Sequence, residues 1–132
     1  MYQKKILVPV GAGERDLKSV YYAMSLADRL QAQVFILQEA GPKDAQDALG
    51  FWLGEALPDL INTARQAGLK ISHLIVRRPL KEEIVTLARE EGIDLLVFGA
   101  DAGDGYGLPL QIKPFVAAQI IQVSEKDHIR YL

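Results

Sequence analysis

Few side chains in this sequence have the chemistry of a site, and most of them crowd one stretch. Gly99, Gly103, Gly105 and Gly107 fall within nine residues, with Asp101 and Asp104 between them. Backbone N–H groups of such a loop can wrap an anion. The two carboxylates oppose that use unless a cation bridges them. They have the chemistry to hold Mg²⁺; the plainer reading leaves them solvated, and no metal site is assigned. Arg77-Arg78 is the nearest concentrated positive charge. Three readings of that pair stand: a solvent-facing trim on an edge strand, a partner for the loop carboxylates, or positive charge for a different anionic ligand. The histidines are His73 and His128, too far apart in the expected fold to meet. There is no cysteine, hence no disulfide, thiol nucleophile or thiolate metal site. No G-x-S-x-G, H-E-x-x-H or Walker loop occurs, and no spacing singles out a carboxylate pair. No catalytic residue is assigned.

The elements that must position these groups are legible from periodicity. Residues 5–10, KILVPV, read as a buried strand, with Pro9 tolerated where the ladder finishes. Residues 14–31 follow as a helix, with Leu17, Val20, Tyr21, Met24, Ala27 and Leu30 on one face and Glu14 and Asp16 in its first turn. A second strand covers 34–37 and its flanks, broken by Gly41-Pro42. In 43–54, Phe51-Trp52-Leu53 reads either as the ragged start of a helix or as a partner-binding patch. From Pro58 a helix runs to Ala67, ended by Gly68. Residues 70–76 form a third strand whose Ser72 and His73 suggest a sheet edge. Pro79 opens a helix to Glu91 with Leu80, Ile84, Leu87 and Ala88 inward, and Gly92 closes it. Residues 93–98 are so apolar that both strand faces must be covered. After the glycine loop, Pro114 opens a last helix over 115–124, with Val116, Ile120 and Val123 as its stripe, and 128–132 form a short final strand.

Strand–helix alternation of this kind gives a parallel sheet with right-handed crossovers and helices on both faces. A buried strand emptying into a glycine loop is where such a sheet places a ligand. The 132 residues make one domain, 1–132, without repeat or linker. The formal charge of −2 argues against nucleic acid as a partner. No apolar run approaches the roughly 20 residues of a membrane span. Nothing reads as a signal peptide, and a cytoplasmic location is expected.

Three segments together, KKILVPV, LKSVYYAMSLADRLQAQVFIL and RRPLKEEIVTLAREEGIDLLVFGA, resemble the universal stress protein family. FVAAQIIQV is similar to that family's last helix. The resemblance implies a three-layer α/β/α sandwich with an open five-stranded parallel sheet of order 3-2-1-4-5. It also implies a homodimer formed through the C-terminal strand. Half of that family binds ATP or AMP and the other half does not. ATP-binding members carry an Asp after strand one that reads the adenine; Gly11 stands there, with no side chain to do so. They carry G-x2-G-x9-G-[ST] after strand four. Gly99 matches its first position, Ala102 stands at the second, and no two glycines in the chain are three residues apart. Pro114-Phe115 replaces the later Gly-Ser pair, losing a donor and a hydroxyl. Family loops here are commonly basic; this one has no Lys or Arg until Lys113.

The expectation is a non-enzymatic module, acting in stress response or regulation through dimerisation or a protein partner and without a cofactor. Its vestigial nucleotide crevice is formed by Pro9, Val10, Gly11, Gly99, Ala100 and Gly103. The competing expectations are an ATP- or AMP-binding member with an altered phosphate loop, and a nucleotide hydrolase of the wider group sharing the sheet, for which no phosphate-orienting loop is found.

Overall fold

The computed structural model describes residues 3–11, 17–40, 48–77, 79–99, 107–124 and 128–132, with 48–55 as backbone. Its strands are β1 (Lys5–Val10), β2 (Gln33–Glu39), β3 (Ile71–Val76), β4 (Leu95–Gly99), β5 (Gln119–Val123) and β6 (Ile129–Tyr131). Its helices are α1 (Lys18–Leu30), α2 (Ala48–Gln66), α3 (Leu80–Glu91) and α4 (Leu108–Ile112), the last running into a 3₁₀ turn, Lys113–Phe115. One sheet holds every described strand in the order β3-β2-β1-β4-β5-β6. The first five strands are parallel and β6 returns antiparallel on β5. The parallel order 3-2-1-4-5 is therefore as expected, with a C-terminal hairpin strand added.

The two faces of the sheet separate by strand parity. Ile6, Val8, Val10, Val34, Ile36, Val97, Ile121 and Val123 pack with Val20, Met24 and Ala27 of α1 and Leu57, Ile61 and Ala64 of α2. Leu7, Phe35, Leu37, Leu96, Phe98 and Ile120 face Leu80, Ile84 and Ala88 of α3 and Ile112 of α4. β1, β2 and β4 thus bury both faces, which is why they read as continuous apolar runs.

Two element assignments fail, and two positions of the expected inward face of α1 do as well: Tyr21 is 60% exposed and Leu30 47%. Residues 115–124 are not a helix: Gln119–Val123 is β5. Ile120 and Val123 are spaced for one helical face, but in the strand they lie on opposite faces of the sheet, in different cores. An apolar run this short fits either period, and its β-branched residues suit the strand. The final strand over 128–132 is consequently β6, not the fifth parallel strand. The second failure is α2, which begins at Ala48 rather than Pro58 and holds Pro58 in its interior. An interior proline costs a helix about 3 kcal/mol. Burial of Leu57 and Ile61, at 1% and 2% exposure, contributes about 1.5–3 kcal/mol each and offsets that cost. The backbone of Phe51, Trp52 and Leu53 lies in α2. Helix α1 begins at Lys18, and Glu14 and Asp16 lie outside the described residues.

The helix ends follow the glycines. Gly68 (φ +99°) and Gly92 (φ +65°) take the left-handed conformation that terminates α2 and α3. Gln31 does the same for α1 at φ +54°, its N–H donating to the Ala27 carbonyl. Two residues after Gly92, Asp94 ties β4 to β1. The Lys5 N–H donates to Asp94 Oδ2 at 2.9 Å, and the Asp94 N–H donates to the Lys5 carbonyl at 2.9 Å. Lys5 Nζ adds a bond to the Glu91 carbonyl at 2.9 Å. At the other end of the chain, the Leu132 N–H donates to the Ile120 carbonyl. This brings residue 132 back toward the lower rim, where β1 starts.

Candidate functional site

Order 3-2-1-4-5 places the change of winding direction between β1 and β4, where an open α/β sheet forms a crevice. The sequence opens that crevice through Pro9. The Gln33 N–H donates to the Lys4 carbonyl and the Asp94 N–H to the Lys5 carbonyl. Even residues of β1 therefore direct their backbone groups to β2, and odd ones to β4. Pro9 is odd and has no N–H, so the rung that would follow Leu7 cannot form. β1 pairs with β4 only over Ile6↔Leu95 and Leu7↔Leu96, against pairing over the whole of Lys5–Val10 with β2. The proline that sequence reasoning placed where a ladder finishes ends this ladder, on the side where a ligand would enter.

The described residues at this lip are Pro9, Val10, Gly11 and Gly99. Val10, Gly11 and Gly99 are buried. Gln122 Nε2 donates to the Gly99 carbonyl at 3.4 Å, a long bond from β5. Ala100 and Gly103, together with Asp101 and Asp104, lie outside the described residues. Beyond the loop, Gly107 precedes α4; a Cβ there would meet Gln111 Nε2 at 2.6 Å. Pro114 and Phe115 sit in the 3₁₀ turn, and Lys81 Nζ stands 5.8 Å from the Phe115 ring centroid.

Beside the lip, the first turns of α1 and the β5–β6 hairpin enclose a cleft of about 520 Å³. Lys18, Tyr21, Tyr22, Ser25, Val123 and Ile129 line it. Val123 is the register partner of Gly99, so cleft and crevice adjoin across one strand pair. In the first turn of α1, Ser19 is 1% exposed and its Oγ has no hydrogen-bond partner among the described residues. Sequence reasoning gave Ser19 no role: a serine among helical core positions carries no signal of its own.

The other singled-out residues do not converge here. His73 lies within β3, its Nε2–H donating to Gln38 Oε1 at 2.8 Å. Burial, and secondarily the Arg65 guanidinium, push its pKa below the ordinary 6.5, so the ring is neutral. His128 is exposed ahead of β6, its carbonyl accepting from the Ser124 N–H at 2.9 Å. The two histidines stand near opposite edges of the sheet, about 24 Å apart at strand spacing. Arg77 is exposed after β3, and Arg78 is outside the described residues. Among the described residues no His, Asp or Glu cluster is arranged for a metal, and no helix is long and apolar enough to cross a membrane.

The fold has many solved counterparts. A universal stress protein in complex with cAMP superposes with a TM-score of 0.64 at 21% identity, over 91% of this chain and 96% of that one. UspA from Lactobacillus plantarum gives 0.60 at 18%, over 92% and 98%. A universal stress protein from Archaeoglobus fulgidus in complex with dAMP gives 0.60 at 16%, over 92% and 97%. No curated protein matches the chain in sequence. The family model for universal stress proteins matches residues 1–108. With sheet order, switch-point crevice and sequence in agreement, the chain belongs to the universal stress protein family.

Proposed function

We propose that this chain is a non-catalytic universal stress protein domain that has kept the crevice of a nucleotide site without its grip, and that it works through contact with protein. The observation that carries the reading is the lip itself. Pro9, Val10, Gly11 and Gly99 offer hydrocarbon and backbone only. A base edge is read by a side chain able to hydrogen-bond it, and Gly11 has none. A polyphosphate is held by convergent donors and positive charge. Pro114 and Phe115, expected in place of the later Gly-Ser pair, lie past α4 in the 3₁₀ turn; the motif's spacing from Gly99 puts that pair at Ile112-Lys113, which has neither the glycine nor the hydroxyl. Pro9, Val10, Gly11, Gly99, Ala100 and Gly103 then form a vestigial site.

Calorimetric titration tests this directly. ATP, ADP, AMP and cAMP, each with Mg²⁺, are expected to give no heat of binding up to millimolar ligand. ATP turnover is expected to stay at the blank. Micromolar affinity for any of the four would overturn the reading.

A second reading is favoured by the relatives solved with cAMP and dAMP. Here the opened β1–β4 crevice holds an adenylate through backbone groups alone. A nucleotide would then raise the melting temperature, since binding stabilises only the folded state. Gly99→Val would abolish that rise by filling the crevice.

A further inference from the structure

The edge strand β3 has backbone groups to spare. The Val34 N–H donates to the Lys70 carbonyl and the Ala40 N–H to the Val76 carbonyl. Even residues of β3 are therefore spent on β2, and the N–H and C=O groups of Ile71, His73 and Ile75 point outward. Arg65 of α2 covers the first of these: its Nη2 and Nε donate to the Ile71 carbonyl at 2.8 and 3.2 Å. Among the described residues nothing bonds the backbone groups of His73 and Ile75. Within Ile71–Val76 no Lys or Pro blunts the edge, which is how natural sheets discourage pairing. The opposite edge, β6, is only three residues long, and shortness is itself a way of blunting.

Beside these groups lies a groove of about 260 Å³ between β3 and α3. Leu37, Leu74, Val76 and Leu87 line it, with Glu83 and Glu90 on its rim. It is smaller than the roughly 300–1,000 Å³ of a small-molecule pocket and suits one large apolar side chain. Leu74, 41% exposed, stands at its mouth. Helix α3 runs from the Val76 end of β3 back toward the start of β4. Glu83 therefore stands toward Val76 and Glu90 toward Ser72. These carboxylates are two helical turns apart, about 10 Å along the axis. In an extended chain the same-face neighbours of a central residue, two places to either side, span about 13 Å. Long cationic side chains there would reach both carboxylates while the central residue enters the groove.

We infer that β3 is a docking edge for an extended segment of a different protein, which adds antiparallel to the sheet and carries a large apolar residue with Lys or Arg two places to either side. The register follows from the backbone. An antiparallel partner exchanges both bonds with His73 and both with Ile75, giving a four-bond ladder. The residue between those rungs lies opposite Leu74 in a non-hydrogen-bonded pair, where side chains come closest, and on the face that holds the groove. Its same-face neighbours lie opposite Val76 and Ser72, toward Glu83 and Glu90. Lys70 and Arg77 lie beyond both ends of this five-residue ladder. A second copy of β3 is a poor occupant. In the same register it would bring Ser72 and Val76 to the acidic rim, with no cation for either carboxylate. The C-terminal edge is left to the homodimer that family resemblance implies.

This inference rests on the reading of the chain as a protein-contact module and names the surface and the chemistry of the partner. The probe is a fluorescein-labelled peptide with Lys-Val-Leu-Val-Lys at its centre, followed by fluorescence anisotropy at low salt. Saturable binding is expected. N-methylating both valines removes the peptide's two ladder donors but keeps its charge and apolar content, and should weaken binding at least about tenfold. Leu74→Lys should weaken it as much with an unchanged circular dichroism spectrum, because a half-exposed lysine reaches water. Glu90→Lys should weaken it about three- to fivefold. Glu in place of the second lysine of the peptide should restore binding to that variant; Glu in place of the first should not, since the antiparallel register carries the second toward residue 90. No saturable binding up to millimolar peptide would overturn the docking edge. Equal affinity of the N-methylated peptide would reduce it to charge adhesion, and rescue by the first position would overturn the register. Self-association of the chain abolished by Leu74→Lys would give the edge to a second copy instead. Nucleotide titration is independent of all of these: heat with a nucleotide sinks the proposed function and leaves the edge standing, whereas silence with both nucleotide and peptide sinks the edge and leaves protein contact to a different surface.

Discussion

Ser19→Ala should make the protein more stable, an unusual outcome for a buried substitution. Ser19 is 1% exposed in the first turn of α1, and its Oγ is without a hydrogen-bond partner among the described residues. A buried polar group left unpaired costs about 1–3 kcal/mol. Alanine also exceeds serine in helix propensity by about 0.5 kcal/mol. Against these gains stands the small void left by one oxygen atom, which costs a fraction of the transfer energy of a methylene. The net expectation is stabilisation by about 1–2 kcal/mol, a rise in melting temperature of roughly 4–8 °C for a chain of this size. Urea unfolding should show the midpoint moving up with the slope unchanged. Ser25→Ala is the internal control. Ser25 is exposed on the same helix, so it should return only the propensity difference. The gap between the two variants isolates the cost of the orphan hydroxyl. A Ser19→Ala protein less stable than its parent would refute the reasoning, because it would mean the hydroxyl is bonded in solution.

Other consequences are open to the same methods. Asp94→Ala removes the acceptor of the Lys5 N–H and should cost about 1–3 kcal/mol in urea unfolding; Asp94→Asn, which keeps an acceptor oxygen, should recover part of it. Gly92→Ala has open space for a Cβ but a φ of +65°, so it should cost about 1–2 kcal/mol through backbone strain alone. The lowered pKa of His73 means that the unfolded chain takes up a proton the folded one resists. Stability from this group is complete above about pH 6.5 and declines as pH falls below it, toward the folded value. His73→Gln should flatten that part of the pH–stability profile, seen by comparing urea midpoints at about pH 7.5 and 5.5. Deleting residues 125–132 would bare the backbone groups of Gln122 on β5 and should lower solubility, measured as loss of soluble protein on concentration.

The sequence made the frame of the fold legible because β1, β2 and β4 are covered on both faces. A run such as KILVPV or LLVFG admits few other readings, and Gly68 and Gly92 mark helix ends by the backbone geometry they take. The C-terminal third was less legible. Ile120 and Val123 satisfy a helical period by chance of spacing, and only the sheet decides that they face different cores. Pro58 misled in the opposite sense: local propensity says a helix starts there, and burial of Leu57 and Ile61 on the same face overrides it. At the crevice, Pro9 was readable as a ladder end, but which neighbour loses its rung depends on strand parity, a property of the assembled sheet. Ser19 had no sequence signature, since a serine among helical core positions carries none and its burial arises only from packing in the assembled fold.

The return of β6 along β5 has a practical side. Residues 3 and 132 both sit near the end of the sheet where the strands begin, remote from the mouth that Pro9 props open. A fluorescent protein or a surface tether joined at either end would hang from the base of the molecule, leaving the upper loops unobstructed. Two such reporters, one on each end of a single chain, would lie close enough for efficient energy transfer, and unzipping of the last hairpin would show as its loss.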